Sequence, residues 1–204
     1  DVPARTADVY VDALEIKMCD IGLGKIASLC GRFYAMDMTE NWARTARAYT
    51  MLVHGEGERL PDAASAIRAS FLRGISDEFI APIVIENTAA DPVATVREGD
   101  LVIFFNHRGD GMRQLVRSLA VPDGASPTSR IEAVCLTEYD AFGLPVAFQP
   151  IRGGNFLSEV LEREEIRSYR IAETARSLHV TNYWNGRDGG ETDLERRAFL
   201  QTEG

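Results

Sequence analysis

Apolar and polar positions along the chain alternate in two different periods, and these divide it into helical and extended stretches in regular succession. Over residues 4–22, Val9, Ala13, Leu14, Ile16 and Met18 recur at roughly helical spacing until Gly22-Leu23-Gly24 breaks the run, which predicts a helix. The short apolar run Ile26-Ala27-Ser28-Leu29-Cys30, stopped by Gly31, reads as a buried strand. Over residues 39–53, Trp42, Ala46, Tyr49 and Val53 fall at i, i+4, i+7 and i+11, with Thr39 as N-cap. A further helix follows, opened by Pro61, striped by Ala64, Ile67, Phe71 and Leu72, and closed at Gly74.

Residues 82–85 and 93–96 predict extended segments separated by a turn-rich stretch. Residues 101–105, apolar throughout, predict a strand covered on both faces, as in a parallel sheet between helices. Next come a helix over 110–119, a strand over 132–137, an extended piece at 146–148, a helix over 156–164, a strand at 169–171 and an apolar stretch at 179–184. Strands alternating with helices predict an α/β fold, with a mostly parallel sheet flanked by helices on both faces in a three-layer sandwich. Residues 1–186 read as one domain, and residues 187–204, polar and glycine-bearing, as a linker or tail.

Charge narrows the partners. Of 204 residues, 31 are acidic and 22 basic, a formal net charge of −9, which argues against general nucleic-acid binding. The longest apolar run is far below the ~18 residues that span a bilayer, and no secretory leader pattern opens the chain. A cytoplasmic protein without nucleic-acid or membrane partners is the expectation. Cys19, Cys30 and Cys135 form no CxxC pair and read as reduced core thiols.

In open α/β sheets ligands bind beyond the carboxyl ends of strands, and two arginines stand at such places. Arg32 follows the apolar run ending at Cys30 and Gly31, and Arg108 follows residues 101–107. A guanidinium there suits phosphate or carboxylate, because it presents planar paired donors and keeps its charge at any working pH. The alternative is a structural ion pair, with Asp37 and Asp110 as local partners. No P-loop, GxGxxG, GxSxG or HExxH motif is present. From the residues alone, the chain is an anion-binding α/β domain.

Several segments carry a more specific likeness. The stretch Gly24-Lys25-Ile26-Ala27-Ser28-Leu29-Cys30-Gly31-Arg32-Phe33-Tyr34-Ala35-Met36-Asp37 resembles the cofactor-independent (2,3-bisphosphoglycerate-independent) phosphoglycerate mutase family. So, in order, do the segments 77–85 (DEFIAPIVI), 99–108 (GDLVIFFNHR), 170–174 (RIAET) and 179–181 (HVT). The resemblance implies the phosphotransferase domain of an enzyme that interconverts 3- and 2-phosphoglycerate. In that family a second, phosphatase-like domain supplies the nucleophilic serine and two metal ions, usually Mn2+; no segment of this sequence matches its DGxG or HGN-type motifs, so a covalent continuation into such a domain is implied, and this chain alone is expected to be inactive. The opening Asp1-Val2-Pro3 looks like the interior of a GRD-V-P segment, which implies a preceding strand.

Carried over residue by residue, the resemblance makes Asp1 the acid/base and substrate-orienting group, and Arg32 and Arg108 the groups that hold phosphoglycerate; it implies no metal ligand in this chain. Two further arginines of the pattern are replaced. Where the family reads MDRD the chain has Met36-Asp37-Met38-Thr39, and where it reads R-x-D-R the chain has Arg108-Gly109-Asp110-Gly111. Each lost charge-assisted contact is worth on the order of 1.5–3 kcal/mol. Two alternatives therefore stand beside the mutase: a relative with an altered substrate, such as a phosphoryl or phosphonyl transferase of specialised metabolism, and a non-catalytic domain that binds anions or a partner protein.

Overall fold

The computed structural model describes residues 2–121, 131–150, 153–186 and 190–201. It comprises two compact units, residues 1–147 and 148–204, so the division falls well before the boundary at 186 expected from the sequence.

The first unit begins with α1 (Ala7–Ile21), which ends where Gly22 adopts φ +75° and donates its N–H to the carbonyls of Met18 and Cys19. No local side chain caps its start. Instead the carboxylate of Asp77, seventy residues away, accepts the N–H groups of Ala7 (2.8 Å), Thr6 (3.2 Å) and Arg5. There follow β1 (Ser28–Leu29), α2 (Arg32–Ala35), α3 (Trp42–His54), β2 (Glu58–Leu60) and α4 (Ala63–Leu72). Asp62 caps α4 by accepting the Ser65 N–H at 2.7 Å, an ordinary N-cap arrangement. A 3-10 turn at Asp77–Phe79 leads into β3 (Ile83–Ile85), and then β4 (Leu101–Phe104), α5 (Arg113–Ala120) and β5 (Glu132–Cys135) complete the unit.

The α/β order holds, and three of the four described strand pairs are parallel: β2 with β3, β4 with β5, and β6 with β7, introduced below. β1 runs antiparallel to β3. The described strands lie in three small sheets, β1-β3-β2, β4-β5 and β6-β7, where one continuous sheet was expected. Two cores result in the first unit. Ile67 of α4, Ile80, Ile83 and Ile85 form one, against which Ala7 and Val11 of α1 pack. Phe104, Leu115, Val116 and Leu119, with Ala48 of α3, form the other. A buried hydrogen bond from Gln114 to Thr45 (2.9 Å) ties α5 to α3 within it.

Four expectations are corrected. α3 starts three residues after Thr39, which does not cap it; Asp37 accepts the N–H of both Thr39 and Asn41 instead. Residues 93–96 form no strand. β4 is covered on one face only: Phe104 is buried, but Leu101, Ile103 and the following Phe105 are 58%, 59% and 81% exposed. Cys19 is exposed rather than a core thiol, while Cys135 is buried.

The second unit holds α6 (Leu157–Arg163), β6 (Ser168–Glu173), a 3-10 turn, α7 (Ser177–Val180) and β7 (Glu195–Leu200). β7 lies in the stretch expected as a polar linker. It pairs along its whole length with β6, and Glu195, fully buried, forms ion pairs with Arg197 (2.5 Å) and Arg170 (3.5 Å). Its polar composition conceals a strand whose inward side is a charge cluster.

Candidate anion-binding site

The two arginines singled out by the sequence sit on segments that meet. Gly31 ends the β1 segment and donates its N–H to the carbonyl of Ile80 at 2.8 Å. A Cβ at Gly31 would lie 2.1 Å from the Glu78 carbonyl oxygen, so only glycine allows α2 to start this close to the 3-10 turn. Arg32 follows, and Met36 closes α2. On the other segment, β4 runs out through Asn106 and His107 to Arg108. Met36, four residues after Arg32, rests on Gly111, three residues after Arg108, at a distance that leaves no room for a side chain there: a Cβ would fall 2.9 Å from the Met36 Cβ.

Four arginines bordering this junction each have a carboxylate. Arg32 donates to Glu78 (2.9 Å), Arg44 to Asp37 (3.1 Å), Arg108 to Asp110 (2.6 Å) and Arg113 to Asp140 (2.9 Å). The four carboxylates are not equivalent. Asp37 and Asp110 have side chains only 2% and 3% exposed. Asp37 also accepts from Thr39 and Asn41, and Asp110 from the Gly111 N–H, so both shape their loops. Glu78 and Asp140 stand in solvent.

The expected local pairing is thus found for Arg108 with Asp110, whereas Asp37 is taken by Arg44 and Arg32 reaches Glu78. Asp1 lies outside the described residues. Met38 and Gly111 stand where the sequence pattern has arginine, and Arg113 is turned to Asp140. His107 is exposed.

Two supporting residues were missed from sequence. Tyr139, buried, donates its hydroxyl to the carbonyls of Phe104 and Asn106, fastening the turn between β4 and Arg108. Burial pushes its phenol above its ordinary value, so it stays a donor. Arg44 stacks 3.9 Å above the Phe33 ring, and Arg47 lies 4.6 Å over Tyr34, which binds α3 to α2. Cys30, beneath these, has its thiol pushed up to about 11 by burial, with Arg47 opposing, and is held protonated rather than as a nucleophilic thiolate. A cleft of about 640 Å³ beyond the carboxyl ends of β2 and β3 is lined by Glu15, Lys25, Asp62 and Glu86 among others; neither Arg32 nor Arg108 borders it.

Against known families, the model of the BPG-independent PGAM N-terminus matches residues 1–141. The chain belongs to this phosphoglycerate mutase family. The match stops close to the end of the first compact unit at 147. The 2,3-bisphosphoglycerate-independent phosphoglycerate mutase of Desulforudis audaxviator is 45% identical over 205 residues, covering 95% of this chain and 40% of the relative. That of Moorella thermoacetica is 46% identical over 192 residues, covering 91% of this chain and 37% of its own length. A crystal structure of Leishmania mexicana phosphoglycerate mutase at low cobalt concentration superposes with a TM-score of 0.87 at 22% identity, covering 99% of this chain and 40% of that one, which confirms the α/β fold. The chain therefore spans about 40% of the length of the mutases it matches.

Proposed function

We propose that this member of the mutase family is the substrate-holding part of a longer phosphoglycerate mutase that interconverts 3- and 2-phosphoglycerate. The observation that carries the reading is the meeting of the Arg32 and Arg108 segments at Met36 and Gly111. In this reading the two guanidinium groups hold the phosphate and carboxylate of a phosphorylated hydroxy acid, which their paired planar donors suit. Asp1 orients the substrate and holds or moves the proton of its hydroxyl. Asp110 and Tyr139 keep Arg108 in place from beneath.

In this reading the two Mn2+ and the nucleophilic serine belong to a phosphatase-like domain in the remaining length of a longer protein. There the metals would supply Lewis-acid stabilisation of the transferring phosphoryl group. A cytoplasmic location belongs to the same reading, and no described helix is long and apolar enough to cross a membrane.

Gly111, packed under Met36 where the family pattern has a cation, favours a second reading, a relative whose substrate differs from phosphoglycerate, because one charge-assisted contact of the pattern is missing there. Calorimetry of this chain with 3-phosphoglycerate tests the first. Saturable binding that Arg32→Ala and Arg108→Ala each abolish is the expected result; binding unchanged in both variants overturns it, and preference for a phosphonate analogue supports the second reading.

A further inference from the structure

The 3-10 turn Asp77–Phe79 does two things at once. Asp77 is anchored to the start of α1 through the N–H groups of residues 5–7, and Gly31 packs directly on its backbone, so the turn is held from both sides. Glu78, next to that anchor, projects to Arg32 and accepts from its Nη2 at 2.9 Å. Among the described residues this is the one carboxylate on Arg32. The Arg32 side chain is 63% exposed and that of Glu78 41%, so water reaches both. In the same junction Asp37 and Asp110 are buried and multiply bonded, and no incoming anion could displace them without opening the loops they organise. Arg32 and Glu78 are built otherwise: one contact, open to water, and neither side chain holds a loop.

We propose that Glu78 is a resident counter-ion of Arg32, which an anionic ligand must displace to bind. This rests on the reading of Arg32 as a substrate-holding residue, and it adds a competing group inside the site. Exchange costs little, since an exposed ion pair contributes at most about 1 kcal/mol, and the departing carboxylate is resolvated at once. A ligand with two anionic groups, one at Arg32 and one at Arg108, gains from both and so binds more tightly than a single anion. Because every ligand of Arg32 must displace the same pair, Glu78 lowers the affinity for all of them by a common factor.

The test is calorimetry of the full chain with 3-phosphoglycerate and with inorganic phosphate, comparing the parent with Glu78→Gln and with Glu86→Gln, a control that removes one negative charge from the Arg59 pair elsewhere. Glu78→Gln is expected to bind both ligands about three- to five-fold more tightly and by the same factor, as loss of an exposed competing pair allows. Glu86→Gln is expected to change neither. Equal effects of the two variants, or weaker binding by Glu78→Gln, overturn the counter-ion while leaving Arg32 as a substrate group. No binding by the parent or by Glu78→Gln overturns both.

Discussion

Met36 lies on Gly111 so closely that any Cβ at position 111 would meet the Met36 Cβ at 2.9 Å. This contact joins the two arginine-bearing segments, and it sets the size of residue tolerated there. Gly111→Ala is expected to destabilise the first unit by about 1–3 kcal/mol through overpacking. Combined with Met36→Gly, which removes the Met36 Cβ and thioether, the loss should be smaller than the sum of the single losses by at least about 0.5 kcal/mol. Urea denaturation of the four proteins measures the cycle; strict additivity would show that the two residues do not bear on each other.

Asp77 caps α1 from a distance, and its removal should resemble loss of an N-cap. Asp77→Ala is expected to cost about 1–2 kcal/mol at neutral pH. Burial raises its carboxyl, but the donors from Ala7, Arg5 and Thr6 more than compensate and hold it below the ordinary value of 3.8. A carboxylate lowered in the fold contributes stability that is fully present above its unfolded value and is lost as the pH falls through its folded value. The gap between parent and variant should therefore be constant near neutrality and shrink below about pH 4. Denaturation at several pH values checks this, and a gap that widens on acidification would contradict it.

In the second unit, Glu195 is fully buried between two arginines. Removing it strands two cations, and breaking a buried pair in this way costs on the order of 3–5 kcal/mol. Glu195→Ala should lower the thermal midpoint followed by the fluorescence of Trp184, whose ring lies 5.3 Å from the Arg170 guanidinium, in a Trp42→Phe background. An unchanged midpoint would mean that the cluster does not hold β6 and β7 together.

What could be read from the sequence was what is local. α4 was legible because its apolar stripe and both ends lie within fifteen residues, and Arg108 with Asp110 because two residues separate them. The partner of Arg32 was not, since Glu78 is 46 positions away and comes near only when Gly31 packs on the 3-10 turn. Thr39 looked like a cap because its hydroxyl is at the right spacing; Asn41 holds the N-cap position without a side-chain bond, and Thr39 is drawn into the loop that Asp37 organises. β7 was hidden by its charges, which elsewhere mark a solvated face and here are paired inward. The unbroken apolar run of β4 was read as two covered faces, a rule that holds for central strands of large parallel sheets and not for a two-stranded one.

That half-covered strand governs how the protein behaves as a solute. Leu101, Ile103 and Phe105 form a row of apolar side chains spaced about 6–7 Å apart along β4, a surface that adheres to its like. What keeps molecules apart is the net charge of −9, and that repulsion reaches only about 10 Å at 0.1 M salt and shortens as salt is added. Attraction of the row does not weaken in the same way. Self-association of this chain through that row is thereby expected to rise with ionic strength.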